Sequence, residues 1–244
     1  MRYALFSDVH GNLEAFQAVL GALHGENIDA YLFLGDIVGY GADPEACIDG
    51  LRKLKAAFGC VCIAGNHDYA VCDMTSTEHF NMYAKAATEW TEQKLTSDDI
   101  GFLKQLDVVY HSDMFSIVHA SLNVPEEWRY IFDIDAAQLN FERFKRQICF
   151  IGHSHRPLMF SFADSVDCFF VDKLVLQENT KYIVNVGSVG QPRDGDPRAS
   201  YAVLDTDAAT VEVKRIDYDI EKAHDKIIKA GLPKFLATRL KEGR

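Results

Sequence analysis

The sequence predicts an α/β fold, and three observations carry that prediction. Apolar runs of strand length alternate with helical stretches over the first 70 residues. Those runs are apolar at consecutive positions, as expected of strands covered on both faces. Beyond Pro157 the chain turns to short β-type runs, so strands dominate its second half.

The elements follow in order. Tyr3-Ala4-Leu5-Phe6-Ser7 reads as a buried strand, and Leu13 to Leu23 carries apolar residues at helical spacing with Asn12 as its N-cap. Ala30 to Leu34 is a second strand. Pro44 opens a helix through about Leu54, and Cys60 to Ala64 is a third strand. Glu78 to Lys94 and Ser97 to Gln105 read as helices, the first packing through a stripe of Met82, Ala86 and Trp90, with a cap over a site as the other reading. Phe115 to Val118 and Ile148 to Ile151 are strands separated by a mostly helical insert, Asp133 to Arg146. Leu158–Phe162, Phe169–Leu176, Tyr182–Val186, Tyr201–Leu204 and Thr210–Arg215 are read as strands of a second sheet. Ile220 to Ala230 and Pro233 to Lys241 read as peripheral helices. With 244 residues, 48% of them hydrophobic, the chain can bury a full core. No linker or solenoid repeat interrupts it, so one domain over 1–244 is expected, with helical insertions at about 72–110 and 122–147.

Five of the strands end in residues that can hold a metal: Asp8 and His10, Gly35-Asp36, Gly65-Asn66-His67-Asp68, His119, and Gly152-His153-Ser154-His155. Ligands of α/β folds bind at the carboxyl ends of such strands. Side chains alternate along extended backbone, so Asp8 and His10 are expected to project to the same side. Taken singly, each residue has an ordinary reading: a solvated or helix-capping carboxylate, or a hydrogen-bonded core histidine. Their recurrence at successive strand ends reverses that balance. Carboxylate, carboxamide and imidazole together suit a borderline divalent ion such as manganese, iron, zinc or nickel. Seven candidate ligands, Asp8, His10, Asp36, Asn66, His119, His153 and His155, are too many for one tetrahedral ion.

In order and composition these blocks resemble the five motifs of the calcineurin-like metallophosphoesterases, over about residues 1–200. The resemblance implies a four-layer α/β/β/α sandwich with two metal ions at one edge. Asp8, His10, Asp36 and His155 would hold the first ion and Asp36, Asn66, His119 and His153 the second, Asp36 being shared. Two ions about 3.5–4 Å apart can clamp a phosphate and share a water of lowered pKa, which would attack phosphorus in line. His67, not a ligand in the family pattern, would protonate or stabilise the departing oxygen. The loop Gly187-Ser188-Val189-Gly190-Gln191-Pro192-Arg193 resembles Gly-Ser loops of bacterial members, and Arg193 is the candidate for substrate phosphate. Arg198 reads as well as a surface partner of Asp194 or Asp196.

Protein serine/threonine phosphatases of this superfamily carry Asp-Arg-Gly shortly after the Gly-Asp block. This chain has Gly39-Tyr40-Gly41 there. That departure counts against a protein phosphatase and against a symmetric dinucleoside polyphosphate hydrolase, and it leaves the orienting partner of His67 unidentified, Asp68 being adjacent in the chain. Tyr40 either stacks on a base or packs. A hydrolase of a small phosphorylated compound, a nucleotide included, is the expected activity, with a phosphodiesterase foremost. The alternative from outside enzymology, a metal-stabilised interaction scaffold, is disfavoured because His67 and all ligands are present. The formal charge of −11 argues against long nucleic acid and anionic membranes as partners. The six cysteines form no metal or disulfide pattern and read as buried thiols. With no signal-peptide pattern or transmembrane-length stretch, a cytoplasmic location is the expectation.

Overall fold

The computed structural model describes residues 1–244. In chain order the elements are β1 (Arg2–Phe6), α1 (Leu13–Leu23), β2 (Ala30–Phe33), α2 (Pro44–Phe58), β3 (Val61–Cys62), α3 (Asn66–Ala70), α4 (Met82–Glu92), α5 (Ser97–Leu103), β4 (Val109–His111), β5 (Phe115–Val118), α6 (Ile134–Phe141), β6 (Ile148–Ile151), β7 (Leu158–Phe162), β8 (Val166–Phe169), β9 (Lys173–Val175), β10 (Lys181–Asn185), β11 (Ala199–Asp205), β12 (Thr210–Ile216), α7 (Ile220–Lys229) and α8 (Lys234–Glu242). They build two six-stranded sheets, ordered β3-β2-β1-β11-β12-β9 and β4-β5-β6-β10-β7-β8.

Alternate side chains of these strands face different layers. Ala4, Phe6 and Phe33 meet Phe16, Ile48 and Leu51 of α1 and α2. Leu5, Leu32 and Leu34 meet Ile117, Phe150 and Val184 between the sheets. Cys149, Ile151 and Ile183 pack outward onto Ala137 and Phe141 of α6. Burial on both faces explains the unbroken apolar runs, and the result is the α/β/β/α sandwich. Asn12 caps α1 by accepting from Ala15 N at 3.1 Å.

The structure departs from expectation in five places. The strands beyond Pro157 form no sheet of their own: β11, β12 and β9 extend the first sheet, while β7, β8 and β10 extend the second. The run from Phe169 to Leu176 is not one strand but breaks into β8 and β9, which belong to different sheets, and Phe170 and Val171 at the break are exposed. Of the expected stripe Met82, Ala86 and Trp90 on α4, Met82 is 72% exposed, while Trp90 is half-buried and donates from Nε1 to the Ala230 carbonyl at 3.1 Å. Ala84, Ala87, Thr88 and Thr91 form the fully buried face. Small residues there let α4 approach Tyr40 and the helices α7 and α8, which are therefore not peripheral. Cys168 is exposed, while the other five cysteines are buried. No helix is long and apolar enough to cross a membrane.

Candidate metal centre

Each sheet contributes three parallel strands: β1, β2 and β3 in one, β5, β6 and β10 in the other. Their carboxyl ends meet along one edge, and every sequence-predicted ligand lies there, buried: Asp8, His10, Asp36, Asn66, His119, His153 and His155. Asp8 and His10 do share a direction, but not through strand alternation. β1 stops at Phe6, and both residues adopt left-handed backbone, with φ of 55° and 50°. Asp36, His153 and His155 do the same at 60°, 65° and 58°. Non-glycine residues are rarely held there unless the surroundings over-determine them, and such strain concentrates at functional sites.

The imidazoles are aimed by their far nitrogens. Nδ1 of His10, His119 and His155 lies 2.9, 2.8 and 2.6 Å from the carbonyl oxygens of Val38, Leu34 and Gln191. A backbone carbonyl on Nδ1 places the proton there and leaves Nε2 as the ligand atom. Nε2 of His10 and His155 then face each other at 3.0 Å. His155 Nε2 is 3.2 Å from Asp8 Oδ1, and His119 Nε2 is 3.2 Å from Asp36 Oδ2. His10 Nε2 is 3.6 Å from both Asp8 Oδ1 and Asp36 Oδ2. Atoms bound to one ion at about 2.1 Å are about 3.0–3.4 Å apart at right or tetrahedral angles. Asp8 Oδ1, Asn66 Oδ1, His119 Nε2 and His153 Nε2 are buried and make no hydrogen bond. Each such group costs about 1–3 kcal/mol, so the donor set fits cations held between its members. The groups cluster as Asp8, His10 and His155, and as Asp36, His119 and His153.

The same packing sets the charge states. Burial would raise the Asp8 carboxyl, but His155 and its neighbours hold it well below the usual range. Asp36 is likewise held low against burial by His119, His67 and His10. Burial opposes protonation of His119, yet the Asp36 and Asp8 carboxylates raise it to about 9. His153, with no such bond, is lowered to about 3 by burial and the charge of His119. His155 falls to about 3 through burial and Arg193.

His67 is built differently. Its ring is close enough to His10 and Asp36 to form a third cluster, but its Nε2 is 3.1 Å from the hydroxyl of Tyr40 and its Nδ1 has no partner. Burial lowers its pKa well below the ordinary value. The neighbouring Asp68 points away, accepting from the backbone N–H groups of Asp36, Ile37, Val38 and Gly65. The glycine-serine loop after β10 braces the centre: Ser188 Oγ and Gly190 N both donate to the carbonyl of Asp8. Arg193, at the end of that loop, lines the cleft, donates to Gln191 Oε1 at 2.7 Å and lies over the Tyr40 ring. Arg198 instead pairs with Asp196 at 2.7 Å.

The cleft in front of the imidazoles has a volume of about 470 Å³. Phe80, Trp128 and Tyr130 wall it, none of which the sequence pattern singled out, because lone aromatics in loops carry no periodic signal. Tyr130 stacks on His153 with ring centroids 4.1 Å apart. Trp128 Nε1 donates to Thr75 Oγ1 at 3.2 Å, joining the segment before α4 to the segment before α6.

A model of the calcineurin-like phosphoesterase superfamily domain matches residues 1–209. An uncharacterized protein of Methanocaldococcus jannaschii is 39% identical over 248 residues, spanning 99% of this chain and 98% of that one. The crystal structure of a metallophosphoesterase from Sphaerobacter thermophilus is 36% identical with a TM-score of 0.86, covering 100% of this chain and 99% of the other. A hypothetical protein from Pyrococcus horikoshii, 19% identical, shares the fold with a TM-score of 0.83 over 100% of this chain and 98% of its own.

Proposed function

The chain belongs to the calcineurin-like phosphoesterase superfamily, and we propose that it is a phosphodiesterase that requires two divalent ions, manganese foremost, and hydrolyses a small phosphorylated compound of nucleotide size. The observation that carries this reading is the confrontation of His10 Nε2 and His155 Nε2 at 3.0 Å. Two lone pairs so placed, with both Nδ1 atoms already committed to carbonyls, call for a shared cation.

Asp8, His10, Asp36 and His155 would hold one ion, and Asp36, Asn66, His119 and His153 the other. When bound, such ions supply a Lewis acid for the phosphoryl oxygens and lower the pKa of water. The chain's own residues do the rest. Carbonyls of Leu34, Val38 and Gln191 fix three imidazoles so that the centre needs no reorganisation. The Arg193 guanidinium, the cation of the cleft, matches phosphate oxygens in geometry. His67 presents a ring nitrogen to the departing oxygen. Phe80, Trp128 and Tyr130 wall the cleft and the Trp128–Thr75 bond ties that wall together, an enclosure that favours a small substrate. Gly39-Tyr40-Gly41 in place of the phosphatase Asp-Arg-Gly supports a small ester over a phosphoprotein.

The test is hydrolysis of bis(p-nitrophenyl) phosphate with and without a chelator. Chelation should abolish turnover and manganese restore it; persistent activity in a metal-free preparation refutes the reading. A panel of phosphomonoesters, cyclic nucleotides, dinucleoside polyphosphates and a phosphopeptide then identifies the substrate class.

A further inference from the structure

We propose that Tyr40 is the positioning residue of His67, a neutral hydroxyl standing where a carboxylate partner is absent. The inference rests on the phosphoesterase reading above for its kinetic consequence, but on the fold alone for its geometry.

The Gly39-Tyr40-Gly41 turn is shaped to bring this contact about. Gly39 has φ of +94° and Tyr40 +59°. This left-handed pair turns the tyrosine inward, where it is only 7% exposed despite sitting in a loop. Its hydroxyl meets His67 Nε2 at 3.1 Å. Its ring lies 4.7 Å from that of His10, and the Arg193 guanidinium is 5.5 Å from its centroid. A Cβ on Gly39 would come within 2.7 Å of His67 Nδ1, so the backbone there is the floor of the imidazole. Phe80 closes the remaining side with centroids 4.8 Å apart. The ring of His67 is thereby held on every side, with one polar contact.

No carboxylate competes for that role. Asp36 Oδ1 accepts from the backbone N–H of His67, not from its ring. Asp68 is used up by the backbone of Asp36, Ile37, Val38 and Gly65. The other anchored histidines of the centre are fixed through Nδ1, whereas His67 is fixed through Nε2. His67 Nδ1 is buried against the Gly39 backbone and has no polar partner, which leaves the Tyr40 hydroxyl as the one polar contact that sets the ring. Because a hydroxyl can donate to or accept from Nε2, the contact fixes the ring plane rather than a tautomer, and its loss frees that plane.

The experiment compares wild type, Tyr40→Phe, His67→Ala and the double variant, all manganese-loaded, on diphenyl phosphate and bis(p-nitrophenyl) phosphate. Phenolate departs poorly and needs the His67 contact more than p-nitrophenolate does. Tyr40→Phe should lower kcat on diphenyl phosphate by about 10–100-fold, as loss of an orienting partner does, with a smaller loss on the nitrophenyl ester. KM and manganese affinity should stay unchanged. The double variant should be no slower than His67→Ala, because Tyr40 acts only through that ring. Relaxation spectra of the ¹³C-labelled His67 ring in the metal-free protein should show a rigid ring in wild type and a mobile one in Tyr40→Phe. An unchanged kcat on diphenyl phosphate, multiplying losses in the double variant, or a ring already mobile in wild type each overturns the inference. If metal-loaded wild type hydrolyses neither ester, the phosphoesterase reading fails instead, and the spectra still decide whether Tyr40 orients the ring.

Discussion

Gly152 is where the two halves of the centre touch, and Gly152→Ala tests that seam. Its N–H donates to the His119 carbonyl, and the next residue, His153, donates its N–H to Asp8 Oδ2 at 3.1 Å. A Cβ at Gly152 would sit 2.1 Å from Ser7 Oγ and 2.6 Å from Asp8 Oδ2, whereas ordinary contact begins at 3.4 Å. Asp8 must therefore retreat by about 0.8 Å, against a metal-ligand tolerance of about 0.2 Å. Disturbing what orients a ligand costs about 10–100-fold in metal affinity, or about 1.4–2.7 kcal/mol. The overpacked seam should cost a further ~1–3 kcal/mol in folding. Gly152 is not among the residues with positive φ, so without the clash alanine would stabilise by about 0.4–1 kcal/mol. Manganese titration of chelator-treated protein by calorimetry, paired with urea unfolding, reads both effects. If Gly152→Ala binds manganese like wild type and unfolds no earlier, the close approach of the sheets at Asp8 is wrong.

Other perturbations test separate parts of the structure. Manganese at a hundredfold excess over its Kd should stabilise the chain by about 2.7 kcal/mol, raising Tm by about 5–11 °C at about 2–4 °C per kcal/mol; coincident scanning-calorimetry traces with manganese and with chelator would sink the metal centre. Arg193→Ala should raise KM about tenfold, the value of one modest charge-assisted contact, with little change in kcat, and an unaltered KM removes Arg193 from the substrate site. Glu14, on α1, has a side chain only 4% exposed and lies 2.6 Å from Lys226 and 3.1 Å from Lys222 of α7. Burial would raise its pKa, but those lysines lower it. The pair's contribution is thus complete above the ordinary glutamate value of 4.5 and fades as pH falls below it. Glu14→Gln should cost about 1–2 kcal/mol at pH 7, between the values of exposed and buried pairs. Urea midpoints of the two proteins should converge on acidification, and a gap that persists at low pH contradicts the pairing.

The ligand set was legible because each member follows a short buried strand, and the parallel trios carry those ends to one edge without help from distant sequence. What covers and braces that edge was not. Tyr40 turns inward only because Gly39 is left-handed and His67 is waiting, a contact between segments with no local signature. The Phe169–Leu176 run has strand composition throughout, yet the chain changes sheets inside it, since composition names no pairing partner. Likewise β11 slots in beside β1 from nearly 200 residues away, in the register Ala4 to Val203. On α4, residues four apart drift by about 40° per step around a 3.6-residue turn, so Met82 falls off the face that packs against Tyr40 and α8 while Trp90 stays at its edge.

Six residues at this edge, Asp8, His10, Asp36, Tyr40, His153 and His155, hold left-handed backbone without being glycine. At about 1–3 kcal/mol each, their strain rivals the whole net stability of a domain, about 5–15 kcal/mol. The loops must therefore be held by something stronger than their own preferences. The bonds that do so run between loops: His10 N and Gly11 N donate to the carbonyls of Asp36 and Ile37, Asp8 N to Gly35, and Gly190 N back to Asp8. Asp68 gathers the amides of three consecutive residues of the Asp36 loop. Because each loop is restrained by the others, freeing one releases strain in all, and the two ligand clusters should lose metal together when any single brace is cut.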